Sequence, residues 1–165
     1  MKIAVLLKWV PDLVEELEVD DDGTGLDTED LKFKLNEFDD HALEEALLLA
    51  GDDDEVIALA MGGEGSEKML FTALAKGATR AIRLTGSSTE GTTGLATAFS
   101  QVLEAESCDL ILTGVQSVDD RDGQLGPFMA SKMGLPCISV VSEVSLSGQT
   151  ASVMKEYAGG MMAEF

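Results

Sequence analysis

Short apolar runs alternate along this chain with stretches whose apolar residues recur at helical spacing. Lys2–Val10, with IAVLL at its centre, predicts a central strand buried on both faces, which Pro11 and Asp12 end. From Asp12 to Leu35 the residues are acidic and turn-rich, and Leu17–Val19 followed by Asp21, Asp22, Gly23, Thr24 and Gly25 predicts a small hairpin or a surface excursion. Asp39 or Asp40 then caps a helix whose apolar side is Ala42, Leu43, Ala46, Leu47 and Leu49, with its end at Ala50–Gly51. A second strand, Glu55–Met61, is followed by Gly62–Gly63, and Ser66 caps a helix through Met69, Leu70, Ala73 and Leu74 that stops at Gly77. A third strand, Arg80–Leu84, leads through Gly86–Ser88 into a helix around Gly91–Glu106, and the fourth strand is Asp109–Thr113. After Gln124 a helix carries Met129, Ala130 and Met133 and closes near Gly134. Beyond Pro136 a strand over Ile138–Val144 pairs with Ala151–Tyr157 across a turn at Gly148.

Strands alternating with helices through right-handed crossovers predict an α/β fold, a doubly wound, mostly parallel sheet in a Rossmann-like three-layer arrangement. Such a sheet binds ligands beyond the carboxyl ends of its strands, where strand order reverses; strand order is not directly readable from the sequence, but a first strand beside the fourth would make that crevice. Three loops would converge there: Lys8–Val10, Gly62–Gly63 and Gly114–Gly126. The last, within GVQSVDDRDGQLGP, is the most informative, because glycines before a helix N-terminus offer backbone N–H groups to a phosphate. Taken alone it also reads as an acidic, solvated connection. In a nucleotide site the N–H groups near Gly123–Gly126 meet the phosphate, Gln124 offers an amide donor, and Asp119 accepts from a ribose hydroxyl or braces the loop. Lys8 either neutralises phosphate charge or lies along the sheet edge; Trp9 and Phe38 either pack near an adenine or belong to the core.

A length of 165 residues with 45% hydrophobic content predicts a single globular domain over residues 1–165. Thirty-one acidic residues against 11 basic ones give a formal charge of -20, which argues against nucleic acid or an anionic membrane surface as partner. Cys108 and Cys137 lack metal-ligand spacing and read as buried, reduced thiols of a cytosolic protein. Ile3–Leu7 is too short for a signal-peptide core, and no run approaches the roughly 18 apolar residues of a membrane span, so a cytoplasmic protein without membrane insertion is expected. No metal site is assigned: His41 sits at an acidic helix start, and Asp20–Asp22 and Asp52–Asp54 lack the EF-hand order of ligands. Ser117 has no nucleophile elbow around it, and no phosphate-loop lysine motif is present, so no catalytic residue is assigned.

Five segments carry a family resemblance: KIAVLLKWVPD; Leu35–Asp39 leading into ALEEALLL; VIALAMG; FTALAKGATRAIRL; and DLILTGVQSVDDRDGQLGP followed by GLP. In order and spacing they resemble the N-terminal two thirds of an electron-transfer flavoprotein beta subunit, over essentially all 165 residues. The resemblance implies a nucleotide-binding α/β subunit that pairs with an alpha subunit. The pair carries FAD, held mainly by alpha, and passes electrons from acyl-CoA or other dehydrogenases to an acceptor. The beta subunit itself holds AMP, or a second FAD in some relatives, and does no bond-making chemistry of its own. It further implies nucleotide contacts at Leu6 and Lys8, at Asn36, Phe38 and Asp39, at Met61, and along Val115, Gln116, Ser117, Val118, Asp119, Asp120, Arg121, Asp122, Gly123, Gln124, Leu125 and Gly126.

The chain departs from the family pattern at Glu37, where a proline is common, and at Arg121–Gly123, where an acidic-polar-asparagine run is common. The family also continues into a partner-embracing segment beyond the strand region in which Phe165 lies, so that segment is expected to be absent here. Met154, Met161 and Met162 then read either as an uncovered interface strand, open to self-association in the isolated chain, or as core filler. The alternative function is a stand-alone ATP- or AMP-binding sensor of the universal-stress type. Those proteins place their closely spaced glycines first, whereas the wide gap here comes first, from Gly114 to Gly123 and then Gly126.

Overall fold

The computed structural model describes residues 1–86 and 91–165; Ser87 and Ser88 of the predicted connection lie outside the described residues. β1 (Lys2–Leu7) pairs in parallel with β4 (Glu55–Met61) on one side and β6 (Leu110–Thr113) on the other, and β5 (Arg80–Leu84) completes the order β5-β4-β1-β6. The first strand therefore lies beside the fourth main-sheet strand, as expected. Alternation along β1 divides the core: Ile3, Val5 and Leu7 meet Leu43 and Ala46 of α1 (Glu37–Leu49) and Met69, Leu70 and Ala73 of α2 (Glu64–Lys76). Ala4 and Leu6 meet Leu95, Phe99 and Leu103 of α3 (Gly91–Glu106) and Met129 of α4 (Leu125–Met133) on the opposite face. Helices on both faces explain why β1 and β4 are apolar after their first residues, Lys2 and Glu55, each buried large side chain contributing about 1.5–3 kcal/mol.

The predicted strand Lys2–Val10 is broken at Lys8. β1 stops at Leu7, and β2 (Trp9–Pro11) leaves the main sheet to pair antiparallel with β3 (Phe33–Leu35). The Lys8 N–H takes a carboxylate acceptor, Asp39 Oδ2, at 2.8 Å instead of a strand partner. Between β2 and β3 the acidic segment forms the small hairpin: Val19 bridges Leu26, Gly23 takes φ +69°, and the Asp20 carboxylate accepts Thr24 N–H at 2.9 Å.

Both helix caps differ from expectation. α1 starts at Glu37 rather than at an Asp39 or Asp40 cap, because the Asn36 carbonyl already accepts the N–H groups of Asp39 and Asp40 at 3.1 and 3.0 Å. Asp39 lies inside the first turn and points into the protein. α2 starts at Glu64, and Ser66 donates its hydroxyl to the Gly63 carbonyl at 2.6 Å instead of capping. α4 closes as predicted, at Gly134 in the left-handed region.

A second antiparallel sheet, order β7-β8-β9, follows: β7 (Glu143–Ser147), β8 (Thr150–Tyr157) and β9 (Met161–Glu164). The strand expected at Ile138–Val144 begins only at Glu143, since Val140 adopts φ +58°, which no strand tolerates. Gly148 makes the predicted turn, at φ +61°. Met161 and Met162 are 66% and 52% exposed, which rules out core filling for that pair. The cysteines are both free, but only Cys108 is even partly buried, while Cys137 is exposed in the irregular segment between α4 and the second sheet. Among the described residues no helix is long and apolar enough to cross a membrane.

Candidate functional site

The ladder between β1 and β6 ends at Leu6↔Thr113. Beyond that end lies a concavity lined by Lys8, Asp39, Gly114–Ser117, Asp120, and Asp122–Leu125. Its floor is fastened by side chains. Asp39 Oδ2 and Oδ1 accept the backbone N–H groups of Lys8 and Gly114 at 2.8 and 3.0 Å, and Asn36 Nδ2 donates to the Gln116 carbonyl at 2.9 Å. Gly114 has to be glycine here: a Cβ would overlap Asp39 Oδ1 and lie 2.9 Å from the Asp39 nitrogen.

The Lys8 ammonium donates to Ser117 Oγ at 2.7 Å, Asp119 Oδ1 at 2.8 Å and Asp120 Oδ2 at 2.7 Å, which uses all three of its protons. Burial pulls its pKa down, but the two carboxylates outweigh that and hold it above the ordinary lysine range. Burial likewise pushes Asp119 up, and its bonds to Lys8 and Ser117 bring it below the usual carboxylate range. Asp39, 5% exposed, is pushed up to about 7 by burial, against the opposing pull of Asn36 and of the Lys8 and Gly114 N–H groups. Asp120 Oδ1 is buried and has no hydrogen-bond partner among the described residues, which leaves an acceptor beside the concavity.

The predicted site residues thus separate into groups. Lys8, Asp39, Val115, Gln116, Ser117, Asp120, Asp122, Gly123, Gln124 and Leu125 line the concavity; Asn36 and Asp119 do not line it but hydrogen-bond to the lining residues Gln116 and Lys8. Arg121 is exposed at φ +51°, its N–H on the Ser117 carbonyl at 2.9 Å, and Val118 belongs to the same turn. A Cβ on Gly126 would lie 3.2 Å from Thr113 Oγ1, at the junction of β6 and α4. Leu6 and Met61 instead turn their side chains into the core beneath α3 and α4, and Phe38 sits exposed on the first turn of α1. Gly62 and Gly63 adjoin α2 and are not among the lining residues, so two of the three expected loops meet there. Trp9 packs against the α1–α2 core and the start of α2, its indole filling the space a Cβ on Gly65 would need.

Sequence reading missed Thr92. Its hydroxyl donates to Asp122 Oδ2 at 2.6 Å, which ties the long loop to the first turn of α3, while Asp122 Oδ1 accepts Gln124 N–H at 3.0 Å. These bonds hold Asp122 below the usual carboxylate range. A threonine at the second position of a helix was the available signal, but its partner is 30 residues away.

The electron transfer flavoprotein domain model matches residues 24–165. The electron transfer flavoprotein subunit beta of Methylophilus methylotrophus is 32% identical over 99% of this chain and 65% of that protein. The mitochondrial subunit beta of Oryza sativa subsp. indica is 35% identical over 98% of this chain and 66% of that protein. This chain spans just under two thirds of the length of these relatives, 65% and 66%. Among solved structures, protein Rv1636 from Mycobacterium tuberculosis H37Rv aligns at a TM-score of 0.44 and 14% identity over 86% of this chain and 95% of that one. With the family match covering most of its residues, this chain belongs to the electron transfer flavoprotein family.

Proposed function

We propose that this chain acts as a beta-type electron-transfer flavoprotein subunit, holding an adenine nucleotide, AMP, in the crevice between the ends of β1 and β6. In this reading it works in the cytoplasm as one half of a heterodimer, and it makes and breaks no bonds itself. FAD carried by an alpha subunit supplies the electron-carrying chemistry, with dehydrogenases as electron sources. The similarity to beta subunits supports the partnership and the redox role.

One observation carries the nucleotide reading: the unpaired, buried Asp120 Oδ1 stands at the concavity that the first turn of α4 also borders through Leu125. An acceptor lacking a donor fits a ribose hydroxyl, which brings one. The first N–H groups of a helix have no intrahelical acceptor, so those of Leu125 and Gly126 fit a phosphate, favoured by the helix dipole. Lys8 is not left to meet that phosphate, since its protons are spent on Ser117, Asp119 and Asp120. It braces the loop from below, and a single phosphate suits a crevice whose nearest carboxylates outnumber its cations.

Mass spectrometry of the nucleotide released from natively purified protein, read beside its visible absorption spectrum, tests this. AMP without flavin is the expected result. ATP would favour the sensor reading, and FAD would put a second flavin in the crevice.

A further inference from the structure

We propose that Asp39 is a positioning residue for nucleotide binding: its buried carboxylate replaces the missing rung between β1 and β6 and sets the two backbones that carry the crevice. The inference rests on the nucleotide reading above. Where the ladder stops at Leu6↔Thr113, the N–H groups just beyond lose their sheet acceptors, and a buried N–H without an acceptor is costly. Asp39 supplies one oxygen to each side, 2.8 Å from Lys8 N and 3.0 Å from Gly114 N. The fit is close enough that the Cβ of any other residue at 114 would overlap Asp39 Oδ1.

The two residues it holds are those the crevice hangs from. Lys8 carries the ammonium that gathers Ser117, Asp119 and Asp120, and Gly114 begins the loop that runs to α4. Displacing one carboxylate therefore moves both walls. Ionised, it accepts from both backbones; protonated, it gives up part of one oxygen to its own proton. The charged and titratable groups nearest it are Lys8 from the end of β1, Asp119 and Asp120 beyond Lys8 on the long loop, and Glu37, Asp40 and His41 on its own helix.

The full chain is titrated with AMP, unaltered and as Asp39→Asn. The variant is expected to keep its circular dichroism spectrum and to bind AMP about tenfold more weakly, the scale of one hydrogen bond to a charged group. In the unaltered chain, the Lys8 and Gly114 amide signals are expected to titrate with the Asp39 carboxyl carbon, and saturating AMP to lower that shared midpoint, since a ligand that needs the ionised clamp stabilises it. A brace with no part in binding would leave the midpoint where it was. Unchanged AMP affinity in a folded variant, or a midpoint that AMP leaves still or raises, overturns the proposal; if the variant does not fold, the titration of the unaltered chain decides. An unaltered chain that fails to bind AMP, with the two amides still titrating together, overturns the nucleotide reading and this inference with it, whereas amides that titrate apart overturn the clamp alone.

Discussion

Lys8 Nζ donates to Asp120 Oδ2 at 2.7 Å, from a strand end to a loop 112 residues further along the chain. With Asp119 bound to the same ammonium, two adjacent carboxylates share one half-buried cation, so the loop's shape depends on a charge that the loop itself does not carry.

Replacing Lys8 by methionine is therefore expected to leave Asp119 and Asp120 facing each other without a counter-charge. The expected loss is about 1–3 kcal/mol, below that of a fully buried pair because Asp119 is 40% exposed. AMP affinity should fall with it. Urea melts and calorimetry check both, and a melting curve that overlays the parent would mean that the loop holds its shape without Lys8.

Gly126→Val is expected to keep the fold and weaken AMP binding by about tenfold or more, by blocking backbone approach to the phosphate. Its Cβ would lie 3.2 Å from Thr113 Oγ1, so the start of α4 has to give by a few tenths of an ångström to admit it. Unchanged affinity by calorimetry would remove the phosphate from the start of α4.

The main sheet was legible because its signals are local: apolar runs closed by Gly62, Gly77 and Gly134 mark where strands and helices stop. The full order β5-β4-β1-β6 was not legible, because strand pairing is non-local; only the neighbourhood of the first and fourth strands was anticipated, as the arrangement that would open a crevice. The site was legible as a loop but not as a network. Asp39 stood among Glu37 and Asp40 as one of several acidic residues at a helix start, and only its long-range partners, Lys8 and Gly114, distinguish it from a cap. The role of Lys8 was invisible for the same reason, as all three of its acceptors are more than 100 residues distant. Nothing local could announce that Val140 turns to φ +58° and ends an apolar run that reads as strand.

The pH dependence of stability should carry the mark of Asp39. Its carboxyl titrates near 7 in the folded chain, pushed up chiefly by burial, and near 4 when unfolded. Between those values the folded chain binds the extra proton, so the stability this group contributes is fully present below about pH 4, declines as pH rises toward 7, and is level above. The difference between parent and Asp39→Asn, from urea melts across that range, isolates it from the other carboxylates. A difference that is flat, or that grows with pH, would contradict the assignment.

Redox activity is expected to require a partner. Purified alone, the chain should show no flavin absorbance, and a reducible yellow complex should appear only on co-expression with an FAD-carrying alpha subunit. Stoichiometric flavin reduction by the isolated chain would instead point to FAD bound in the crevice.

The most direct measurement of the central claim is an amide NMR titration of the full chain with AMP. The account predicts saturable shifts centred on Lys8, Asn36, Gly114–Ser117 and Asp120–Gly126, with the β7-β8-β9 sheet unmoved. Saturable shifts elsewhere, or none at millimolar AMP, would contradict it.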